Sequence, residues 1–219
     1  MADTHLFLFG GGPPFNDVLG KTFAHLSSNG LNGTQVAVLF MERDGWKEYM
    51  PRYTDVLEQN GIAHFEYLPL TPAPSPHFIE QLSLATGVII CGGDTERYRE
   101  YVVDTEIGKI VKRMYAEGTP VAGFSAGALI SPNICVIPPI DNRKNEHLFL
   151  PGLGLIDHCV VSVHFSKWKE ETNLKKALTL TNAYIGYGMD DDSGIYFKNQ
   201  VVSETAEQVY FYRNGPAVE

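Results

Sequence analysis

The 219-residue sequence predicts an α/β fold, with a mostly parallel sheet, helices on both faces and a β-hairpin-rich C-terminal end. Three observations predict it. Short, uninterrupted apolar runs alternate with amphipathic stretches, as expected of parallel strands buried on both faces between helices. Glycine or proline separates one kind of segment from the next. After about residue 180 the texture changes to short β-rich pieces divided by turn residues.

"HLFLF" (5–9) is the first strand, and "NDVLGKTFAHLSS" after it has a helical pattern. "QVAVLF" (35–40) precedes "GWKEYMPRYTDVLEQNG", in which Gly61 fits a helix C-terminal cap. "AHFEYLPL" (63–70) leads through "TPAPSP", a rigid surface loop, to the helix-like "HFIEQLSLA". "GVIIC" (87–91) precedes the amphipathic "DTERYREYVVDTEIGKIVKRMYAEG". "TPVAGFSAGALIS" (119–131) supplies a fifth strand and the start of a helix, and "IDHCVVSVHFSKW" a further strand. "AYIGYG", "GIYF", "QVVSE" and "QVYFYR" read as the terminal hairpins. With no repeat, low-complexity tract or linker, residues 1–219 read as a single catalytic domain.

With 44% hydrophobic residues, the chain can bury one sizeable core. Its formal net charge of -9 offers phosphates no broad positive field, which argues against nucleic-acid and anionic-membrane partners. Cys91, Cys135 and Cys159 form no C-x-x-C pair. They read as buried thiols in a reducing compartment, not as a disulfide frame or a zinc site. "MADTHLFLFGGGPP" has too short an apolar run for a signal-peptide core, and no stretch approaches a membrane span. A cytoplasmic location is the expectation.

Three glycine-rich turns fall at strand ends, "FGGGPP", "CGGDT" and "GFSAG". Ligands of open α/β sheets bind beyond the carboxyl ends of the strands, so the three turns point to a site. "GGGPP" lacks both G-x-G-x-x-G and the P-loop lysine, so open glycine turns, not a phosphate cradle, explain it better. Gly123, Ser125 and Gly127 spell G-x-S-x-G, the spacing of a nucleophile elbow that holds a serine Oγ out at the sheet edge. A Cβ two residues before or after the serine would collide with the neighbouring backbone.

A serine hydroxyl needs a base, an orienter for that base, and two donors for the developing oxyanion. The Ala126 N–H is one donor by position. "CGGDT" is the source of the second, since Gly92 and Gly93 allow close approach to backbone amides, while Asp94 or Thr95 can cap the next helix. Among seven histidines, His158 and His164 share a strand face. His164 closes the apolar run, which places it at a strand's carboxyl end, the rim where Ser125 is also expected. For the acid, Asp190, Asp191 and Asp192 stand together in "GYGMDDDSG", and Asp141 in "PPIDNRKNE" is the alternative. An α/β esterase would use the order serine, acid, histidine, which Asp141 before His164 satisfies. Only about forty residues separate Ser125 from His164, little room for the elements such folds carry there. A catalytically silent protein that keeps the elbow is the remaining alternative.

Taken together, "CGGDT", "GFSAGA", "VHF" and "GYGMDDDSG" resemble the peptidase E and cyanophycinase family of serine peptidases, in order and spacing from about residue 85 to 197. The resemblance implies a class I glutamine amidotransferase-like fold, Ser125 as nucleophile, His164 as general base, and Gly93 and Ala126 as oxyanion donors. It implies Asp191 as the acid, where the family has a glutamate. Aspartate is one methylene shorter and must approach His164 more closely. Asp94 stands where family members often carry asparagine, and it either caps the following helix or pairs with a substrate's amino group. Asn173 stands where peptidase E has the arginine that reads an aspartate side chain, which argues against aspartyl specificity. "SKWKEETN" replaces the arginine-rich stretch of cyanophycinases. The expected function is that of a serine hydrolase, a peptidase E-like dipeptidase cleaving small peptides through an acyl-enzyme. No metal or organic cofactor is implied, and a monomer or homodimer is expected.

Overall fold

The computed structural model describes residues 2–28 and 33–214. Its strands and helices follow the alternation of the sequence. In chain order the first part comprises β1 (His5–Phe9), α1 (Asp17–Ser28), β2 (Val36–Phe40), α2 (Trp46–Tyr49), α3 (Pro51–Gln59), β3 (Phe65–Pro69), α4 (Pro76–Leu84) and β4 (Gly87–Ile90). It continues with α5 (Thr95–Tyr98), a π-helical turn (Arg99–Val103), α6 (Glu106–Ala116), β5 (Val121–Phe124) and α7 (Ala126–Leu129). The second part comprises β6 (Ile134–Ile137), β7 (Leu148–Pro151), β8 (Cys159–Ser162), α8 (Phe165–Trp168) and α9 (Glu171–Thr181). It ends with β9 (Ile185–Met189), β10 (Gly194–Lys198), β11 (Val201–Ala206) and β12 (Val209–Arg213).

The central sheet has seven strands in the order β11-β10-β1-β5-β4-β2-β3. β1, β5, β4, β2 and β3 run parallel, and β10 and β11 add an antiparallel hairpin beside β1. Every residue of β1, β2, β4 and β5 is buried, so both sheet faces are covered. Because the parallel strands share a direction, the turns after β1, β2, β4 and β5 meet at one rim.

A second sheet, β12-β9-β8, pairs β8 parallel and β12 antiparallel with β9. β8 therefore does not belong to the central sheet, contrary to the expectation that Ser125 and His164 end strands of one rim. β9 and β12 pair with each other, so only β10 and β11 form the simple hairpin the C-terminal texture suggests. A separate hairpin, β6–β7, occupies residues the sequence leaves unassigned.

Two helical stretches are broken, each for a local reason. Pro51, lacking an N–H, starts α3 and separates it from α2. Between α5 and α6, Gly108 packs against the Val102 and Val103 carbonyls at a distance no Cβ could share. The Thr105 hydroxyl donates to the carbonyls of Tyr101 and Val102, which closes the preceding turn. Gly61 ends α3 as the composition suggests. Its φ is 92°, and the Ile62 amide donates back to the Leu57 carbonyl.

Behind the rim lies an aromatic cluster. Phe15, 1% exposed, packs edge-on against Phe9 at 5.0 Å and Phe124 at 4.9 Å, and against Phe23 at 5.3 Å. Cys91, Cys135 and Cys159 are free and buried, and burial pushes the thiols of Cys135 and Cys159 up to about 12. Among the described residues no helix is long and apolar enough to cross a membrane. Truncating Phe15 to alanine removes the ring that joins β1, α1 and β5. Urea unfolding should report a loss of about 3–4 kcal/mol, with an unchanged m-value.

Candidate active site

Ser125 sits in the sharp turn between β5 and α7 at φ 47° and ψ -104°, a conformation unusual for a residue with a side chain. The glycines on either side make it possible. A Cβ on Gly123 would stand 2.5 Å from the Gly127 carbonyl oxygen, and a Cβ on Gly127 would overlap the Ile90 carbonyl of β4. The Ser125 amide donates to the Phe9 carbonyl at the end of β1, 3.0 Å away.

His164 follows β8 and also has a positive φ, 49° with ψ 35°, which places it in the left-handed helical region. Its amide donates to the very next carbonyl of the first strand's turn, Gly10, at 2.9 Å. Two adjacent peptide groups thus fix the backbones of two residues 39 positions apart. Their side chains meet: Ser125 Oγ lies 2.9 Å from His164 Nε2. The imidazole packs against Trp168, ring centroids 4.3 Å apart, which restricts its rotation.

On its other nitrogen, His164 Nδ1 is hydrogen-bonded to Asp191 Oδ1. Asp191 Oδ2 accepts from Lys167 Nζ at 3.0 Å, so both carboxylate oxygens are engaged. Partial burial works against ionisation of Asp191. The hydrogen bonds from His164 and Lys167 outweigh it and hold the carboxyl below the usual range. Asp190 does different work. Its carboxylate accepts from the Ser166 amide at 2.7 Å and the Ser166 hydroxyl at 3.0 Å, which caps the start of α8 just after His164.

The "GGG" turn ties these parts together. A Cβ on Gly10 would overlap the Asp190 carbonyl and one on Gly11 the Asp191 backbone, so the two turns touch main chain to main chain. The Gly10 amide donates to the Ser193 carbonyl at 3.0 Å. The sequence places this turn at the site's rim but does not show that its glycines touch the aspartate turn main chain to main chain. The one available signal was three consecutive glycines at a strand end.

The oxyanion side separates Gly92 from Gly93. The Gly92 amide donates to Tyr53 Oη and its carbonyl accepts from Tyr98 Oη, both at 3.2 Å. Gly92 is therefore a fixed support whose N–H is already used, which leaves the amide of Gly93 as the unengaged one of the pair. The amides of Gly93 and Ala126 donate to no protein group among the described residues. Asp94 takes the capping position: Oδ1 accepts from the Arg97 amide at 3.1 Å at the start of α5. Asp141 is held by the Thr95 hydroxyl at 2.7 Å and makes no hydrogen bond to His164. Burial raises its carboxyl above the ordinary value. His158 lies at the opposite end of β8, lining a groove with Tyr184 and Phe211. Asn173 donates to Glu170 Oε1 at 2.9 Å. Among the described residues, no group of three or more His, Cys, Asp or Glu side chains is arranged to hold a metal ion.

Fold and site together define an α/β protein of the serine-hydrolase kind, with hydroxyl, imidazole and carboxylate in hydrogen-bonded series at an elbow. Residues 34–205 match the model of peptidase family S51, and the chain belongs to that family. Cyanophycinases from Trichormus variabilis and Synechococcus elongatus are 25% and 23% identical to it, over 154 and 153 residues. Each alignment covers 67% of this chain, and 52% and 48% of the relative, so the chain spans about half the length of the curated relatives it matches. A peptidase from an acI-B1 Actinobacterium has a similar fold, with a TM-score of 0.71 and 18% identity over 96% of this chain and 88% of that one. A candidate peptidase E from Listeria monocytogenes EGD-e superposes with a TM-score of 0.62 and 21% identity, over 98% and 100% of the two chains.

Because the folded-state carboxyl of Asp191 is depressed, its ionisation stabilises the protein above its ordinary value of 3.8, and that contribution disappears as pH falls through the lower folded value. The stability gap between wild type and Asp191→Asn should therefore be at full size from about pH 5 upward and shrink toward pH 3 in parallel denaturant titrations. A Gly11→Ala variant should lose about 2–3 kcal/mol in the same assay, since its Cβ cannot coexist with the Asp191 backbone.

Proposed function

We propose that this chain is a serine exopeptidase acting on small peptides, a dipeptidase that works through Ser125, His164 and Asp191. The observation that carries the reading is the unbroken series from Ser125 Oγ, 2.9 Å from His164 Nε2, through His164 Nδ1 to Asp191. His164 takes the hydroxyl proton as Ser125 Oγ attacks the scissile carbonyl carbon. The tetrahedral oxyanion sits between the amides of Gly93 and Ala126, which have no protein acceptor among the described residues. His164 then gives its proton to the leaving amine, the C–N bond breaks, and the acyl-enzyme remains. Water, deprotonated by the same imidazole, attacks the ester and releases the acid.

Asp191 keeps its negative charge throughout. It fixes the tautomer that leaves Nε2 free to accept, and it stabilises the imidazolium. Lys167 grips the second oxygen, which holds the shorter aspartate against His164 where a glutamate would reach unaided. Asn173 in place of an arginine supports a substrate other than an aspartyl peptide. Asp141, bonded to Thr95, gives the serine–acid–histidine order of an α/β esterase no geometric support.

A dipeptide panel screened against wild type and three variants tests this reading. Ser125→Ala and His164→Ala should each lose about 10⁴-fold or more in kcat, and Asp191→Asn about 10²–10⁴-fold, with all three folded. Hydrolysis that survives intact in Ser125→Ala would assign the chemistry elsewhere.

A further inference from the structure

Behind the Gly93 amide stand two tyrosines that the proposed chemistry does not use. Tyr98, on α5, is fully buried, and Tyr53, on α3, is 3% exposed. Both hydroxyls engage Gly92: Tyr53 Oη accepts from its amide, and Tyr98 Oη donates to its carbonyl. Tyr98 Oη also accepts from the Met41 amide at 3.2 Å, just after β2. A hydroxyl has one proton to give, and because Met41 supplies a proton of its own, that of Tyr98 is left for Gly92. Burial pushes both phenols well above their ordinary value, so each keeps its proton.

The carbonyl of Gly92 and the amide of Gly93 belong to one peptide group. That group is planar and trans, so its C=O and N–H point in opposite directions. A carbonyl held inward by a fully buried hydroxyl therefore turns the Gly93 N–H outward, away from the core. Ser125 is next to this peptide, since a Cβ on Gly92 would stand 3.3 Å from Ser125 Cβ. The Gly93 N–H itself is restrained by no protein acceptor among the described residues. Two consecutive glycines would otherwise let the peptide between them turn over at little steric cost.

The ring of Tyr98 acts with its hydroxyl. A Cβ on Gly93 would meet Tyr98 Cε2 at 2.9 Å, so the ring lies directly against the Gly93 backbone. The chain itself joins the two. Gly93 leads into Asp94, whose side chain caps α5, and the Tyr98 amide donates to the Asp94 carbonyl at 3.0 Å. In this way α5 carries Tyr98 back to Gly92, six residues upstream. Tyr53 comes from a different helix and meets Phe124 edge-on, immediately before Ser125. The glycine turn is thus tied both to its own helix and to the strand that ends in the elbow.

We propose that Tyr98, supported by Tyr53, is a positioning residue: its hydroxyl fixes the Gly92–Gly93 peptide so that the Gly93 N–H is aimed at the oxyanion before substrate binds. The inference rests on the serine-peptidase reading for its chemistry. An oxyanion donor contributes when it already faces the place where charge develops, and a peptide that must first turn over contributes less. Loss of the Tyr98 hydroxyl should therefore weaken binding of the transition state and leave binding of the substrate unchanged.

Tyr98→Phe keeps the ring and removes only the hydroxyl. On a dipeptide that wild type cleaves, kcat should fall about 10–100-fold, with KM within about threefold. The matching thioxo dipeptide carries sulfur in place of the scissile carbonyl oxygen and accepts N–H bonds poorly. It should lose much less, so that the oxygen-over-sulfur ratio in kcat drops about tenfold or more. General loosening of the fold would slow both substrates alike. Tyr53→Phe frees Gly92 on its amide side and should lower the same ratio by about threefold or more, which keeps the test decisive if Tyr98→Phe does not fold. An unchanged ratio in either folded variant overturns the positioning role. If wild type cleaves no peptide, the serine-peptidase reading fails, and crystal structures of wild type and Tyr98→Phe decide the positioning separately. A Gly92 carbonyl that turns away in the variant upholds it, and a peptide that stays in place overturns it.

Discussion

The structure depends on one close backbone approach. The turn after β1 presents two consecutive carbonyls, those of Phe9 and Gly10, which receive the amides of Ser125 and His164. On its other side, Gly10 and Gly11 press against the main chain of Asp190 and Asp191 with no room for a Cβ. Three segments far apart in sequence thereby become neighbours through main-chain contacts, which vary less than contacts between long side chains. The hydroxyl, imidazole and carboxylate then need only short, restricted side chains to meet.

The arrangement has a conformational cost, and the surroundings offset it. Ser125 and His164 both have a positive φ, a backbone conformation that costs roughly 1–3 kcal/mol for a residue with a Cβ. Behind the elbow, Phe124 stacks on Phe9 at 4.4 Å and meets Tyr53 edge-on at 5.1 Å. Tyr53 and Tyr98 grip Gly92 by its amide and carbonyl, so the second glycine turn is anchored to the same core. The strain is spread over a rigid aromatic base, which keeps the polar groups in place before any substrate arrives.

Most of the fold was legible because buried parallel strands leave uninterrupted apolar runs such as "HLFLF" and "QVAVLF", and glycine or proline marks their ends. The elbow was legible for a steric reason: only glycine fits at 123 and 127. His164 was marked by its place at the carboxyl end of an apolar run and then by resemblance, whereas Asp191 rested on resemblance, since nothing local distinguishes it from Asp190. The second sheet was hidden because an apolar run such as "CVVS" reveals its burial but not its partner. The register of Lys167 on Asp191 likewise follows from the left-handed turn at His164, which the sequence does not announce.

The central claim is that one turn brings an activated serine, its base and its acid into working contact. Intact-mass analysis after reaction with a fluorophosphonate probe addresses it directly, because a phosphonylated adduct forms only on a hydroxyl that a neighbouring base has made nucleophilic. The account predicts a single adduct on wild type, mapping to Ser125 and strongly slowed when His164 is replaced. A folded wild type that stays unmodified, or that is modified at another residue, would contradict it.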